Sequence, residues 1–289
     1  MIMSAAPIER AKRILNDILG MTGHIIVREK TLDHLVGLGW HATKERECRE
    51  RLLQQFIAGA PDCFDLAGFA KHCLANVDRS NGQWQQDLWV MFETQGMRDG
   101  FFVEFGAADG VVGSNTLMLE KDLGWRGVLC EPVPSAFAEL VDSRPGSVCV
   151  QAAVSIDDRR EYAFSVVPKV LQLSTISAFK FGDMHADLRT ESTEITVPAI
   201  DINDLIEKGQ PKENVVDYLS IDTEGGELDI LKRLDFDRWR IRIVTVEHNH
   251  REKEMKEIPE LMAARNFERI DLADFTGLDF WFRNKEFTT

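Results

Sequence analysis

The chain has 289 residues, of which 44% are hydrophobic and 28% charged, a composition typical of a folded globular protein and not of a disordered one. Its 34 lysines and arginines against 48 aspartates and glutamates give a net charge of −14, which repels a nucleic-acid backbone or an anionic membrane surface. The length suits one large α/β domain with an added segment.

The first hundred residues predict four helices. Apolar residues recur at helical spacing, and glycines stand at three of the expected ends, Gly20, Gly59 and Gly96. The first helix carries Ile8, Ala11, Leu15, Ile18 and Leu19; the second opens at Thr43 and turns Leu52, Leu53, Phe56 and Ile57 inward; the third runs from near Asp65 through Leu66, Phe69, Cys73 and Leu74; and the fourth carries Trp84, Leu88 and Phe92. None of these helices contains obvious chemistry.

From residue 101 onward, short apolar runs alternate with amphipathic stretches, which predicts βα units around a mostly parallel sheet. The predicted strands are Phe101 to Phe105, Gly127 to Glu131, Val148 to Val154, Val215 to Ile221, Ile241 to Glu247, Phe267 to Leu272 and Leu278 to Phe282. Tyr162 to Val167 and Glu194 to Ile200 predict an inserted strand pair outside this sheet. We therefore expect an N-terminal helical segment over 1–79 and an α/β domain over 80–289.

A glycine turn follows the first predicted strand. Glycine permits a tight turn and close approach of a ligand to the backbone, so Gly106 and Gly110 predict a nucleotide-binding turn. The dinucleotide fingerprint G-x-G-x-x-G is not met, because Ala108 stands where its second glycine would be. A pyrophosphate lying on this backbone is therefore poorly supported.

Glu131 ends the next predicted strand, about twenty residues after the glycine turn. An acid in this place can accept both hydrogen bonds of a ribose diol. Glycine turn and acid together indicate adenosine recognition, whereas the structural alternative is a strand-end carboxylate that faces solvent.

The sequence resembles the FkbM-type S-adenosylmethionine-dependent methyltransferases, a family of the seven-strand Rossmann-like class. The matching blocks span roughly Ser80 to Phe282, in the family's order. They are Phe101 to Ala107, Ser114 to Thr116, Leu119 to Lys121, Gly124 to Gly127 with Glu131-Pro132, Tyr218 to Gly225 with Glu227, Val246 to Asn249, and Asp279 to Phe282. Residues 1–79 lie outside the resemblance.

The resemblance implies S-adenosylmethionine as cofactor and a Rossmann-like seven-stranded sheet flanked by helices. It implies a cofactor site made of Glu104, Gly106, Ala107, Asp109, Gly110, Ser114, Asn115, Thr116, Glu131, Pro132 and Asp222. Glu104 and Gly106 are expected near the methionine part, Glu131 on the ribose and Asp222 near the reacting methyl group. The implied acceptor is a hydroxyl of a sugar, glycan or glycosylated natural product.

Acidic residues follow two further predicted strands. Asp222, Glu224 and Glu227 come after Val215 to Ile221, while Glu247 ends the next strand and is followed by His248, Asn249 and His250. Both sets are expected at the carboxyl edge of the sheet, where ligands bind in open α/β folds. The structural alternative is helix capping by Asp222 and Thr223, with Glu224 in the first turn of that helix and Glu227 merely close by.

Methyl transfer to a hydroxyl requires a base or a metal ion to remove the proton. A histidine, His248 or His250, is one candidate base because its pKa lies near neutrality. The alternative is Mg²⁺ bound by the oxygen ligands Asp222, Glu247 and Asn249. The expected catalytic residues are Asp222, Glu247 and His248.

Three other functions stay open at this point. Methylation of nitrogen or of a carboxylate would need neither metal nor strong base, and a cofactor-binding scaffold protein would keep the fold without turnover. A dinucleotide-dependent oxidoreductase would require the missing glycine.

Two polar stretches have two interpretations each. Residues 173–177, Leu-Ser-Thr-Ile-Ser, are expected either to contact the methyl donor or the acceptor, or to form a plain turn. Gln86 and Asp87 are expected either to reach the cofactor cleft or to form hydrogen bonds with the nearby backbone.

Five cysteines, an odd number without a C-x-x-C pair, indicate neither a disulfide framework nor a zinc site. The start lacks a basic region followed by an apolar core, and no apolar run approaches the ~18 residues that cross a bilayer. We therefore expect a cytoplasmic protein without an integral membrane segment. The N-terminal helices are expected to act as a lid, a partner-docking segment or a homodimer contact.

Overall fold

The computed structural model describes residues 43–287 except 56–57, 62–63, 169, 182 and 184, with no side-chain description at 273–274. The predicted helix that ends at Gly20 lies outside these residues. The described helices are α1 (43–55), α2 (Leu66–Asn76), α3 (Gln86–Glu93), α4 (Leu117–Leu123), α5 (Pro134–Ser143), α6 (Ile202–Gly209), α7 (Glu227–Arg233), α8 (Glu252–Ala264) and α9 (Ala273–Thr276). None of them is long and apolar enough to span a membrane.

The strands form two sheets. They are β1 (Phe101–Phe105), β2 (Arg126–Cys130), β3 (Val148–Val150), β4 (Ala153–Val154), β5 (Glu161–Val166), β6 (Thr175–Ile176), β7 (Thr193–Ile200), β8 (Val215–Ile221), β9 (Arg240–Glu247), β10 (Phe267–Ile270) and β11 (Asp279–Asn284). The larger sheet has seven strands, the number that the sequence predicted, and their order is β10-β11-β9-β8-β1-β2-β3.

The large sheet is mixed. Strands β3, β2, β1, β8 and β9 pair in parallel, whereas β11 is antiparallel to both of its neighbours, β9 and β10. The connection from Ile270 to Asp279 explains this pairing, because a parallel crossover needs a dozen or more residues.

The predicted strand Val148 to Val154 is two strands. Its first half, β3, pairs with β2, and its second half, β4, leaves the large sheet to pair with Ala199 and Ile200 of β7. The inserted strand pair is confirmed as β5 and β7, and β6 adds to it. The resulting inserted sheet has the order β4-β7-β5-β6.

The two faces of the large sheet carry separate apolar clusters. Val103 and Phe105 of β1 pack with residues of α6, α7 and α8, whereas Phe102 faces the other side with α1 to α5. Trp89 of α3 stacks on Trp281 of β11 at 4.8 Å between ring centroids. Because Cys48 of α1 lies in this second cluster, the described N-terminal helices share a core with the sheet. The division into a helical segment over 1–79 and an α/β domain over 80–289 stays a prediction.

Candidate active site

The glycine turn after β1 joins two strand ends. Gly106 has φ +77°, and its N–H donates to the carbonyl of Cys130 at 3.2 Å. A Cβ at this position would overlap the carbonyl oxygen of Asp222, whose own N–H donates to Phe105 at 3.3 Å. Only glycine allows this contact, which fixes Asp222 beside the turn.

Glu131 holds the turn from the end of β2. Its Oε2 accepts the N–H of Ala108 at 2.9 Å and its Oε1 accepts that of Val133 at 2.8 Å. Ala108 has φ +47°, so the backbone still takes the left-handed form at the place of the fingerprint's second glycine. Burial raises the pKa of Glu131 to about 7 against the effect of both hydrogen bonds.

Glu104 of β1 gathers the loop that leads into α4. Its carboxylate accepts the Ser114 hydroxyl at 3.1 Å, the Asn115 N–H at 2.8 Å and the Thr116 hydroxyl. The hydroxyls of Ser114 and Thr116 are therefore engaged by the Glu104 carboxylate, which fixes the conformation of the loop.

Arg144, at the end of α5, closes the same network. Its guanidinium is wholly buried and donates to the carbonyl of Gly110, to Ser114 Oγ and to Thr116 Oγ1 at 2.9–3.1 Å. It also lies 2.7 Å from Glu120 Oε2. The sequence analysis missed Arg144, because a single arginine in a loop carries no motif.

Other predicted cofactor residues have local partners. Asp109 Oδ1 accepts the N–H groups of Val111 and Val112, both at 2.9 Å, which forms the turn around Gly110. Asn115 Nδ2 donates to Ser220 Oγ at 3.0 Å, while its buried Oδ1 has no hydrogen-bond partner.

A cleft runs along the carboxyl ends of β8, β1 and β2. Its sheet side is lined by Phe105, Gly106, Ala108, Cys130, Glu131, Pro132, Asp222 and Thr223, its floor by Ala152, Ala153, Val154 and Ile230, and its far wall by Phe164, Leu171, Gln172, Ser174 and Ile176. A mostly apolar cleft with carboxylates at two points fits a ligand that combines an apolar ring, a diol and a cationic group. Ala107 lies in the turn without lining the cleft.

Three carboxylates meet at the end of β8 and β9. Asp222, Glu224 and Glu247 each place an oxygen within 4.8 Å of the others, and we call them the acid cluster. Asp222 is partly exposed, while the other two are buried. Burial raises the pKa of Asp222 to about 6 and, together with the Asp222 charge, raises the pKa of both glutamates well above the usual range.

Asn249 ties two members of the acid cluster together. Its Nδ2 donates to Glu247 Oε2 at 2.6 Å and to Glu224 Oε2 at 3.1 Å, while its buried Oδ1 has no partner. The predicted metal ligands were Asp222, Glu247 and Asn249. The structure brings all three together, but Glu224 completes the set of close oxygens, and Asn249 would offer its oxygen only after its amide turned over.

The inserted segment reaches the acid cluster through Arg189, which the sequence analysis missed. Its wholly buried guanidinium lies 2.6 Å from Glu224 Oε2 and 2.7 Å from both carboxylate oxygens of Asp183. Thr175 Oγ1 donates to the Glu224 carbonyl at 3.0 Å. Within residues 173–177, Ser174 and Ile176 therefore line the cleft, and Thr175 binds the turn after β8.

Asp279 adds a further acid beside the cluster. It pairs with Glu247 across β9 and β11, and Gln86 Nε2 donates to its Oδ2 at 2.7 Å. Burial, then the Asp222 charge, raises the pKa of Asp279 to about 8. Gln86 thus reaches the site. Asp87 instead accepts hydrogen bonds from the Ser80 hydroxyl and from the N–H groups of residues 81 and 82, just before its own helix.

Neither His248 nor His250 belongs to the acid cluster. The His248 ring packs on Phe280 at 4.3 Å between centroids and on His250 at 5.3 Å. Its Nδ1 accepts the His250 N–H at 3.1 Å, and burial lowers the pKa of His248 to about 4. His248 follows the end of β9 and does not belong to the acid cluster.

Glu227 holds the turn ahead of α7. Its Oε1 accepts the Thr223 hydroxyl at 2.8 Å and the Gly225 N–H at 2.7 Å. These contacts give Glu227 a structural role, but the N-cap of α7 is Gly226, so the expected capping by Asp222 and Thr223 is not seen. Glu224, in contrast, belongs to the acid cluster, and its backbone is left-handed, with φ +59°.

Comparison with solved structures gives distant likenesses. The METTL16 methyltransferase domain is 12% identical over 84% of this chain and 89% of that chain, with a TM-score of 0.36. A TehB-like SAM-dependent methyltransferase from Corynebacterium glutamicum is 10% identical over 75% and 95%, with a TM-score of 0.33. The fibrillarin pre-rRNA processing protein of Methanococcus jannaschii is 13% identical over 64% of this chain and 66%, just under two thirds, of its own, with a TM-score of 0.31.

A search of curated protein sequences gave no match. Comparison with family models, in contrast, assigns the chain to a family. The model of the methyltransferase FkbM domain matches residues 104–269, more than half of the chain. This range includes the glycine turn, Glu131 and the whole acid cluster. The chain therefore belongs to the FkbM methyltransferase family, an S-adenosylmethionine-dependent family, and is a methyltransferase.

Proposed function

We propose that this methyltransferase transfers a methyl group from S-adenosylmethionine to a hydroxyl of a sugar, glycan or glycosylated natural product. The observation that carries the proposal is the position of Asp222, which lines the cleft beside the glycine turn and belongs to the acid cluster. One carboxylate thus borders both the methyl-donor cleft and the acids that can receive the acceptor.

The methyl donor is held by residues on the sheet side of the cleft. S-adenosylmethionine supplies a methyl group already activated on a cationic sulfur. Glu131 binds the ribose diol with the lone pairs left free by its two backbone hydrogen bonds. Gly106 and Pro132 line the cleft, Ala107 belongs to the turn beside it, and Asp222 faces the positive sulfur. The loop over 109–116 acts through its fixed backbone, because Glu104 and Arg144 engage its side chains.

Removal of the acceptor proton falls to Asp222 and Glu247. Burial raises the pKa of Asp222 to about 6, which makes its carboxylate a stronger base than an ordinary one, and burial raises the pKa of Glu247 in the same direction. His248 is the less favourable base, because its Nδ1 already accepts an N–H and a neutral imidazole then carries its proton on Nε2. It acts only if the bond to His250 opens.

The acid cluster selects the acceptor. Carboxylates accept hydrogen bonds, so neighbouring hydroxyls of a polyol suit them, whereas an acidic acceptor is repelled. An amine is the second candidate acceptor, since the same charges attract it. A carboxylate acceptor is disfavoured.

Mg²⁺ is the second part of the proposal. Three carboxylates with oxygens within 4.8 Å of one another are hard ligands suited to this ion. With Mg²⁺ bound, the acid cluster and the Asn249 oxygen would hold the ion, and the remaining residues would keep the roles given above.

The test begins with calorimetric titration of the full chain with S-adenosylhomocysteine. A panel of one neutral sugar, its amino sugar and its uronic acid, each as a glycoside, is then assayed for release of S-adenosylhomocysteine. We expect turnover with the neutral glycoside and its loss in Asp222→Asn. Absence of S-adenosylhomocysteine binding would refute the cofactor, and turnover confined to the amino sugar would move the assignment to N-methylation.

A further inference from the structure

The inserted sheet forms a wall of the methyl-donor cleft. Phe164 of β5 and Ile176 of β6 line it, together with Leu171, Gln172 and Ser174 from the connection between these strands. None of the five belongs to the seven-stranded sheet. The site is therefore built from both sheets.

The order of the strands gives the cleft a direction. Asp222 follows β8, Gly106 follows β1, Glu131 follows β2, and Ala153 begins β4 after β3. The acids lie at the first and third of these points, and beyond Glu131 the lining is apolar except for Gln172 and Ser174. Given the proposed function, on which this inference rests, the cationic sulfur lies at Asp222, the ribose at Glu131 and the base beyond it.

A purine needs apolar surface for its faces and hydrogen-bonding groups for its edge. Phe164, Ile176 and Ala153 are buried in one apolar cluster and supply the surface. Ser174 Oγ already accepts the Val167 N–H at 3.0 Å and fixes the wall. The side chain of Gln172 is exposed and carries both a donor and an acceptor.

We propose that Gln172 is the residue of the inserted segment that recognises the adenine edge of the methyl donor. A glutamine amide can pair with adenine by accepting from the 6-amino group and donating to a ring nitrogen. The inserted segment thus determines which base the cleft accepts.

The test compares two probes by calorimetry, S-adenosylhomocysteine and its analogue with purine in place of adenine, which lacks the 6-amino group. Wild type is expected to bind S-adenosylhomocysteine five- to tenfold more tightly, roughly the contribution of one hydrogen bond. Gln172→Ala is expected to bind the two probes equally. The matched control is Gln54→Ala on the exposed side of α1, which keeps the wild-type ratio.

A second variant tests the wall. Leu171→Ala removes a half-buried apolar side chain, so it should weaken both probes about equally and leave their ratio unchanged. An unchanged probe ratio in Gln172→Ala, with wild type binding S-adenosylhomocysteine, overturns this inference alone. Wild type that binds neither probe overturns the proposed function as well.

Discussion

Arg189 Nη2 lies 2.6 Å from Glu224 Oε2, and both side chains are buried. The arginine comes from the inserted segment and the glutamate from the turn after β8, so the pair joins the two sheets at the acid cluster. Asp183, bound to Arg189, also binds Arg251 at 2.7 Å, which extends the junction to the start of α8.

Arg189→Gln should destabilise the fold by about 3–5 kcal/mol, because it leaves buried carboxylates without their counter-charge. Urea denaturation measures the loss. The matched control is Arg159→Gln, also on the insertion, whose exposed pair with Asp157 contributes little. The double variant Arg189→Gln/Glu224→Gln should recover part of the loss, and equal stability of Arg189→Gln and the control would contradict the prediction.

Gly106→Ala should cost at least about 3 kcal/mol and abolish S-adenosylhomocysteine binding. The new Cβ meets the Asp222 carbonyl, which adds an overlap penalty to the cost of a left-handed alanine. Gly113 has the same φ, +77°, with nothing near its would-be Cβ. Gly113→Ala should therefore lose only about 1–2 kcal/mol. Equal losses in the two variants would show that the Gly106 contact is unimportant.

Glu131 should make stability fall as the pH rises. Its pKa is about 7 in the folded chain against 4.5 for the unfolded one, so its stabilising contribution is complete below pH 4.5 and lost through pH 7. The loss amounts to about 3 kcal/mol. Free energies of unfolding between pH 5 and 8 should fall less steeply in Glu131→Gln, by up to about 1.4 kcal/mol per pH unit. Parallel slopes would refute this.

Mg²⁺ should bind wild type in calorimetry and lose affinity in Glu247→Gln, because one hard ligand of the acid cluster is removed. Asp158→Asn, an exposed acid of the insertion, serves as control. No heat from Mg²⁺ with wild type, together with turnover unaffected by EDTA, would remove the metal and leave proton removal to the carboxylates alone.

The sequence predicted the seven strands, their carboxyl-edge acids and the family, because buried strands and strand-end motifs are local patterns. It did not predict the pairs of Arg144 with Glu120 and of Arg189 with Glu224, whose members are 24 and 35 residues apart in the chain. It also predicted β3 and β4 as one strand, because an apolar run does not show where the chain passes from one sheet to the other. The predicted homodimer and cytoplasmic location stay predictions.

The early departure of β4 from the large sheet has a practical consequence for chimeras. The inserted sheet starts at residue 153 and returns at Ile200, next to α6. An exchange of residues 161–200 alone would split the pairing of Ala153 with Ala199 between two parent proteins. An exchange of the inserted sheet should therefore join the two parent sequences near residues 151 and 201. The incoming segment must also supply an arginine that pairs with Glu224, as Arg189 does.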